Sequence, residues 1–423
     1  MSVAEHNLTD RITYTDLYRR WEQNNWSAMD LDFSGDKDGW EALSDIQRKS
    51  ALWIYSMFFF GEDSVADNLS PYIDAAPKEE QKYFLATQQV DEARHAVFFH
   101  RFFSEVIGAG DDIASTLAFT EKHLGWGYTQ VFNRLDRMAD ELRRDRSLPK
   151  FAQAITLYHL IVEASMAQPG QHFIEDFFVR EGTMPGFSAG MENVSRDEQR
   201  HIGFGVKVLS ELLRESDECK AAVDELLAEV FPWLSSVFIP PNWDREYTRC
   251  YGFELEEIAA WGFKAVEMKW KAIGYPMQEM PSYVMPMDLE MDAEERAANV
   301  IRLAQAGVIG EPGQDPDSSP DIQELYFDSV SRAVDSGAVN GHGPFTVQWR
   351  FSDAAPWHVV VDNGSTRAVA GDTPSADVVL ESSWRDFIEI GKGSIAPPRA
   401  LLQRRLKVRG NPRDLLRFRK LFA

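Results

Sequence analysis

Two segments of this 423-residue chain have the form Glu-x-x-His: Glu92 and His95 in QQVDEARHAVFF, and Glu198 and His201 in VSRDEQRHIGFG. Residues three apart share one face of a helix, so each pair can present a carboxylate and an imidazole to the same point. With nine histidines in the chain, roughly one such match is expected by chance, and a single copy would carry little weight. The specific signal is what accompanies the pairs. Glu62 lies in MFFFGEDSV, 30 residues before Glu92, and Glu163 lies in LIVEAS, 35 residues before Glu198. An unpaired ionised carboxylate among such apolar side chains costs several kcal/mol, which a divalent cation removes. One Glu from each of two helices and one Glu-x-x-His from each of two others form a ligand set for two metals. Four carboxylates neutralise two divalent ions, and two neutral imidazoles complete a mixed oxygen and nitrogen shell. Such a shell suits iron or manganese, and no thiolate selects for zinc.

Asp91 and Asp197 each precede a ligand Glu and are placed to accept the remaining N–H of a ligand histidine. Arg94 and Arg200 flank the same motifs and are placed to pair with their carboxylates, although surface salt bridges are the more expected role. Long helices must carry all of these residues. The periodicity from Asp45 to Leu213 supplies five, punctuated near Pro71–Pro77, Gly108–Gly110, Ser147–Pro149 and Gly182–Gly190. A second helical stretch runs from Lys220 to Ile273 with a break at Pro240-Pro241, the Pro- and Met-rich segment Pro276–Met291 closes it, and Asp292–Ala306 reads as one more helix. The segment Gly307–Pro320 (GVIGEPGQDPDSSP) then reads as a linker. Beyond it come a helix (Asp321–Ser336) and short alternating runs, PFTVQWRFS, WHVVVDN, TRAVAGD and ADVVLESS, which read as antiparallel strands. Helical segments near Trp384–Ile390 and Pro398–Phe422 end the chain, with room for a short strand in KVRGNP. The expected fold is mainly α: a ferritin-like bundle with a dimetal core over 1–290, a helix and linker over 291–320, and a small α+β domain with an antiparallel sheet over 321–423.

From about residue 20 to 290 the sequence resembles the ribonucleotide reductase small-subunit-like ligand-binding oxidases of the ferritin-like dimetal carboxylate superfamily. DLDFSGDKDGWEALSD, FGEDSV, DEARH, LYHLIVE and DEQRH carry the resemblance, and all six ligand positions match. It implies an Mn/Fe or Fe/Fe site that reacts with dioxygen beside a long apolar pocket. True reductase subunits store a radical on a tyrosine one turn after the first ligand histidine. Here that place is Phe99, which cannot form a stable phenoxyl radical. In the oxidases, a valine three residues after the first ligand Glu becomes ether-linked to a tyrosine five residues before the third. Those positions are Val65 and Tyr158. Five residues is about 140° around a regular helix, so Tyr158 requires a local distortion or an oblique approach. His159 lies nearer the ligand face and reads as core or as support to the ligands.

The C-terminal segment, about Asp321–Ala423, resembles sterol carrier protein-like lipid-transfer domains through ADVVLESSWRDFIEIGKG and PPRALLQRRLKVRGNP. That resemblance implies an apolar tunnel for lipid, although several relatives use the module only for dimerisation. The net charge of −23 is uneven: residues 340–423 carry 13 Lys/Arg against 8 Asp/Glu, which leaves −28 on the remainder. An acidic main body argues against nucleic-acid binding. The stretch Arg399–Lys420 holds nine basic residues against the single acid Asp414, interleaved with leucines, and suits peripheral contact with an anionic membrane or with the acidic body itself. The longest apolar run, ALWIYSMFFF, is too short to span a bilayer, the N-terminus shows no secretory pattern, and Cys219 and Cys250 form no disulfide framework. A cytoplasmic location is expected. The functional expectation is a dimetal oxidase for a hydrophobic, fatty-acid-like substrate, working with an electron donor and forming a homodimer. The alternatives are a ribonucleotide reductase small subunit and a non-catalytic lipid-binding or redox-sensing protein.

Overall fold

The computed structural model describes residues 12–334 and 344–421. The N-terminal segment through Arg11, the expected helix end at Ser336 and Phe422 lie outside the described residues. The chain divides into two compact units, Met1–Leu226 with Val237–Met277, and Leu227–Ser236 with Gln278–Ala423.

The first unit is a helical bundle. In order it holds α1 (Tyr14–Gln23), α2 (Asp36–Ala42), α3 (Asp45–Asn68), α4 (Ser70–Ala75), α5 (Glu79–Phe102), α6 (Ile113–Thr120), α7 (Trp126–Leu142), α8 (Leu148–Ile155), a π-helical segment (Thr156–Ala167), α9 (Gln168–Glu181), α10 (Pro185–Glu215) and α11 (Asp217–Leu234), whose last residues belong to the second unit. The short α12 (Glu246–Arg249) and α13 (Leu255–Ile273) complete it. α3 packs along α5, and the π segment packs along α10 and α13. Helix starts follow local chemistry: Ser44 and Gln47 form a capping box at α3, and Thr13 and Asp16 form one at α1.

α10 begins differently from the sequence expectation. Gly186 and Gly190 do not interrupt a helix but lie inside α10, whose first N–H groups, those of Gly186 and Phe187, donate to the buried Asp36 carboxylate at 2.9 and 2.7 Å. Gly190 is needed for close approach, since a Cβ there would sit 2.1 Å from the Phe98 ring. Beside it the rings of Phe98, Phe99, Phe102, Phe187 and Tyr55 pack on one another in the core. Pro71 falls where the punctuation is expected, in the first turn of α4, after α3 ends at Asn68 and before α5 starts at Glu79.

The second unit carries α14 (Ala293–Gln305), α15 (Pro320–Ala333), β1 (Phe345–Phe351), β2 (Trp357–Asp362), β3 (Ser365–Ala370), β4 (Val378–Ser382), α16 (Trp384–Gly391), α17 (Pro397–Leu402), β5 (Leu406–Arg409) and α18 (Pro412–Leu421). The sheet order is β3-β2-β1-β4-β5. It is antiparallel except for β1 and β4, which run parallel with Val347 opposite Val378, where the strand pattern alone suggests an all-antiparallel sheet. Phe327 stacks on Trp357 at 5.0 Å and on Phe387 at 5.8 Å, so aromatic rings fill the space between α15, the sheet and α16. No helix among the described residues is long and apolar enough to cross a membrane.

Candidate metal centre

α3 supplies Glu62, α5 supplies Glu92 and His95, the π segment supplies Glu163, and α10 supplies Glu198 and His201. All six are buried, with the four carboxylates 1–6% exposed and both imidazoles fully enclosed. They form two overlapping groups, Glu62, Glu92, His95 and Glu198, and Glu92, Glu163, Glu198 and His201, in each of which one donor atom per residue lies within 4.8 Å of the others. Glu92 and Glu198 belong to both. His95 Nδ1 faces Glu62 at 3.0 Å, Glu92 at 3.4 Å and Glu198 at 3.7 Å. His201 Nδ1 faces Glu92 at 3.1 Å, Glu163 at 3.4 Å and Glu198 at 3.8 Å.

Protons are the only cations these side chains can supply for themselves. Burial raises the carboxyls of Glu62, Glu163 and Glu198 above their ordinary range. Burial acts on Glu92 in the same direction, but the adjacent His201 and His95 outweigh it and hold that carboxyl well below its ordinary range. For the imidazoles burial favours the neutral form, yet Glu62 beside His95 and Glu92 beside His201 raise both well above the usual histidine value. Glu163 Oε2, Glu198 Oε2 and His201 Nδ1 are buried without a hydrogen-bond partner. Carboxylate oxygens and imidazole nitrogens, unsatisfied and converging in two overlapping sets, fit two divalent transition-metal ions.

The outward ring nitrogens are held crosswise. His95 Nε2 meets Asp197 at 3.4 Å, and His201 Nε2 meets Asp91 at 3.1 Å, so the acid preceding each ligand Glu supports the histidine of the opposite helix. Trp21 Nε1 donates to Asp91 and Trp26 Nε1 to Asp197, both at 2.8 Å. Arg200 pairs with both aspartates, and Arg94 donates to Asp91 at 3.0 Å. Surface salt bridges are therefore not the role of these arginines: the Arg200 side chain is 4% exposed and that of Arg94 is 10% exposed.

Tyr158 lies in the π segment, whose i→i+5 bonding brings residues five apart to one side and supplies the distortion its spacing from Glu163 requires. Its hydroxyl donates to Glu92 Oε1 at 2.5 Å, and burial among the carboxylates keeps the phenol protonated. Val65 and Tyr158 line the same cavity, together with Glu62, Glu92, Glu163 and Glu198. Phe99 is fully buried and stacks on Phe58 at 5.9 Å. Sequence reasoning misses Gln88, whose Nε2 donates to Glu163 Oε1 at 2.7 Å and Tyr158 Oη at 3.1 Å while its Oε1 faces His159 Nε2 at 3.1 Å. Burial lowers His159 to about 3, so that imidazole is neutral and donates. The available signal is position, since Gln88 lies one turn before Glu92 on the same face. Trp21 and Trp26 give no comparable signal.

The family model described as ribonucleotide reductase, small chain, matches residues 9–232, and that of the SCP-2 sterol transfer family matches residues 327–423. Among solved structures, a variant of an R2-like ligand-binding oxidase with anaerobically reconstituted Mn/Fe cofactor is 23% identical, covering 62% of this chain and 93% of that one with a TM-score of 0.52. A second such variant is 22% identical over 64% of this chain and 97% of its own, with a TM-score of 0.54. A third, with aerobically reconstituted Mn/Fe cofactor, is 21% identical over 64% and 98%, with a TM-score of 0.53. At these identities the likeness establishes a shared fold.

Proposed function

The chain belongs to the ribonucleotide reductase small-chain family, and from that premise we propose that it is a dioxygen-activating dimetal oxidase with Glu62, Glu92, His95, Glu163, Glu198 and His201 as ligands. The observation that carries this reading is the pair of buried four-residue groups sharing Glu92 and Glu198. Mn/Fe or Fe/Fe is the proposed metal pair, and the Mn/Fe cofactor of the structurally similar oxidases supports the former. Held by these residues, two reduced metals would supply the activation of dioxygen and the removal of hydrogen from a substrate C–H bond.

The chain's own residues orient and enclose that chemistry. Asp91 and Asp197 fix the ring orientation of His201 and His95. Gln88, anchored by His159, holds Glu163 and Tyr158. Val65 and Tyr158 are the proposed partners of an ether bond, formed with loss of two hydrogens to dioxygen. Phe99 leaves no phenol one turn after His95 for radical storage, which separates the proposed activity from deoxynucleotide synthesis. The apolar cavity at the carboxylates supports a hydrophobic substrate with a fatty acid as the default, and an external electron donor is the proposed source of reducing equivalents.

The C-terminal unit is proposed to bring that substrate from an anionic lipid surface. Leu401, Leu402 and Leu416 are exposed there, as are Arg399, Arg404, Lys407, Arg413, Arg419 and Lys420. Each basic residue close to such a surface contributes about 1 kcal/mol. A homodimer and a cytoplasmic location complete the proposal. The test is oxygen consumption by the reduced, metal-loaded protein with a fatty acid in air. Repeated turnover with an oxidised acid as product supports the oxidase. A single turnover that modifies only the protein supports redox sensing instead, and no uptake by metal-replete protein refutes both.

A further inference from the structure

A domain that carries lipid needs apolar space inside it. In the C-terminal unit the layer between α15, the sheet and α16 is occupied by aromatic rings. Phe327 is fully buried, with its ring centroid 5.0 Å from Trp357, 5.5 Å from Trp349 and 5.8 Å from Phe387. Phe351 meets Trp384 at 5.2 Å and Phe387 at 5.3 Å. These are the spacings of rings in contact. Two of the indoles are also fixed by their N–H groups: Trp357 Nε1 donates to Gln323 Oε1 at 2.8 Å, and Trp384 Nε1 to the Asp317 carbonyl at 3.0 Å. An acyl chain can enter this layer only by parting the rings and disturbing these bonds.

The outside of the same unit offers lipid a different contact. α17 ends in a corner at which Arg404 takes a left-handed conformation (φ 59°), and the N–H groups of Arg404 and Arg405 donate to the carbonyls of Leu401 and Ala400 at 3.1 and 2.9 Å. Ala400 and Leu406, buried on either side, hold the corner to the core. Leu401 and Leu402 stand on it, 45% and 86% exposed. The charge along this segment is one-sided. Of the nine bases from Arg399 to Lys420, Arg405, Arg409 and Arg417 pair with Asp386, Glu381 and Asp414. Arg399, Arg404, Lys407, Arg413, Arg419 and Lys420 are exposed and form no ion pair among the described residues. On a chain of net charge −23, six unneutralised bases in one short segment fit an anionic partner. The exposed leucines fit one with an apolar layer beneath its charge. An anionic bilayer has both features, and a nucleic acid has only the first.

We infer that the C-terminal unit is a lipid-surface anchor and not a lipid carrier. The Leu401–Leu402 corner enters the headgroup layer of an anionic phospholipid bilayer, the unpaired bases meet its phosphates, and the ring layer stays closed. The inference rests on the anionic-surface reading above and specifies how it operates: substrate comes within reach because the chain is held at the membrane, without being enclosed by this unit.

Co-sedimentation of full-length, metal-loaded protein with vesicles of phosphatidylcholine, alone or mixed with phosphatidylserine, measures binding, and amide hydrogen exchange on the same mixtures locates it. Binding should require phosphatidylserine. Protection should be gained within 397–421, while α15, β1, β2 and α16 exchange as in the free protein. Leu402→Asp should weaken binding at least about 10-fold, through lost apolar contact and an added negative charge. Arg404→Ala combined with Lys407→Ala should weaken it about 25-fold, at about fivefold per base. These side chains are exposed, so the variants should unfold at the temperature of the parent protein. Vesicle binding undiminished in both variants overturns the assignment of the corner. Altered exchange in α15, β1, β2 or α16 on binding means that lipid enters the interior, and overturns the anchor while leaving the anionic-surface reading intact. No sedimentation with anionic vesicles overturns both, and the oxidase reading stands or falls separately on oxygen uptake with a fatty acid in solution.

Discussion

Asp197→Ala is the substitution in which the support of the metal centre is most exposed to measurement. The Asp197 carboxylate is 1% exposed and accepts from Trp26 Nε1 and Arg200 Nη1, both at 2.8 Å, while facing His95 Nε2 at 3.4 Å. Arg94 lies 4.0 Å away. Two aspartates and two arginines balance one another in this buried layer, so deleting one acid leaves a surplus positive charge and an indole N–H without an acceptor. Breaking a buried pair in this way costs about 3–5 kcal/mol. In a unit of this size that corresponds to a fall of roughly 10 °C in Tm. Loss of the His95 support should also lower metal affinity by about 10–100-fold. Asp197→Asn restores one acceptor but not the charge, and should recover part of the stability and little of the metal affinity. Thermal unfolding with metal analysis on the same preparations reads both quantities. A Tm within about 2 °C of the parent protein, with full metal retained, would refute the claim that Asp197 balances this layer and orients His95.

Other substitutions probe separate parts of the account. Phe187→Ala removes a fully buried ring packed 4.1 Å from Phe102 and 4.6 Å from Tyr55, and should cost about 3–5 kcal/mol in denaturant unfolding. Burial would raise the Glu211 carboxyl, but hydrogen bonds from Lys78, Tyr14 and Lys207 outweigh it and hold that carboxyl below its ordinary range. Its ionised form therefore stabilises the fold above the ordinary carboxylate range, and that contribution is lost as pH falls through the depressed value. Glu211→Gln should cost about 1.5–3 kcal/mol at neutral pH, with the difference from the parent protein shrinking on acidification. Gln88→Leu removes the donor to Glu163 and Tyr158, and should lower the yield of a Val65–Tyr158 linked peptide pair, read by mass spectrometry as a loss of two hydrogens. Tyr158→Phe should eliminate that species while leaving metal content unchanged.

The parts of the structure visible in the sequence are those written locally. The two Glu-x-x-His pairs and the apolar setting of Glu62 and Glu163 follow from the pattern along single helices, and once the resemblance points to Tyr158, its five-residue spacing from Glu163 calls for a distortion. Pairings between distant segments are different in kind. Nothing near Trp21 or Trp26 indicates that their indoles reach Asp91 and Asp197, and Asp36 gives no sign that it caps α10 about 150 residues later. The same limit explains Arg94 and Arg200, whose charge suggests solvent until both aspartates are seen to bury beside them. Gly186 and Gly190 read as punctuation because glycine usually breaks a helix, whereas Gly190 admits the Phe98 ring. The alternation in β1 and β4 identifies strands without revealing that the intervening hairpin returns them as a parallel pair.

Anomalous diffraction from crystals of the full-length protein assembled in air with manganese and iron tests the central claim most directly. The account predicts two peaks, one among Glu62, Glu92, His95 and Glu198 and one among Glu92, Glu163, Glu198 and His201, about 3.5–4 Å apart. A metal-replete preparation with a single peak, or with none at these six residues, would contradict it.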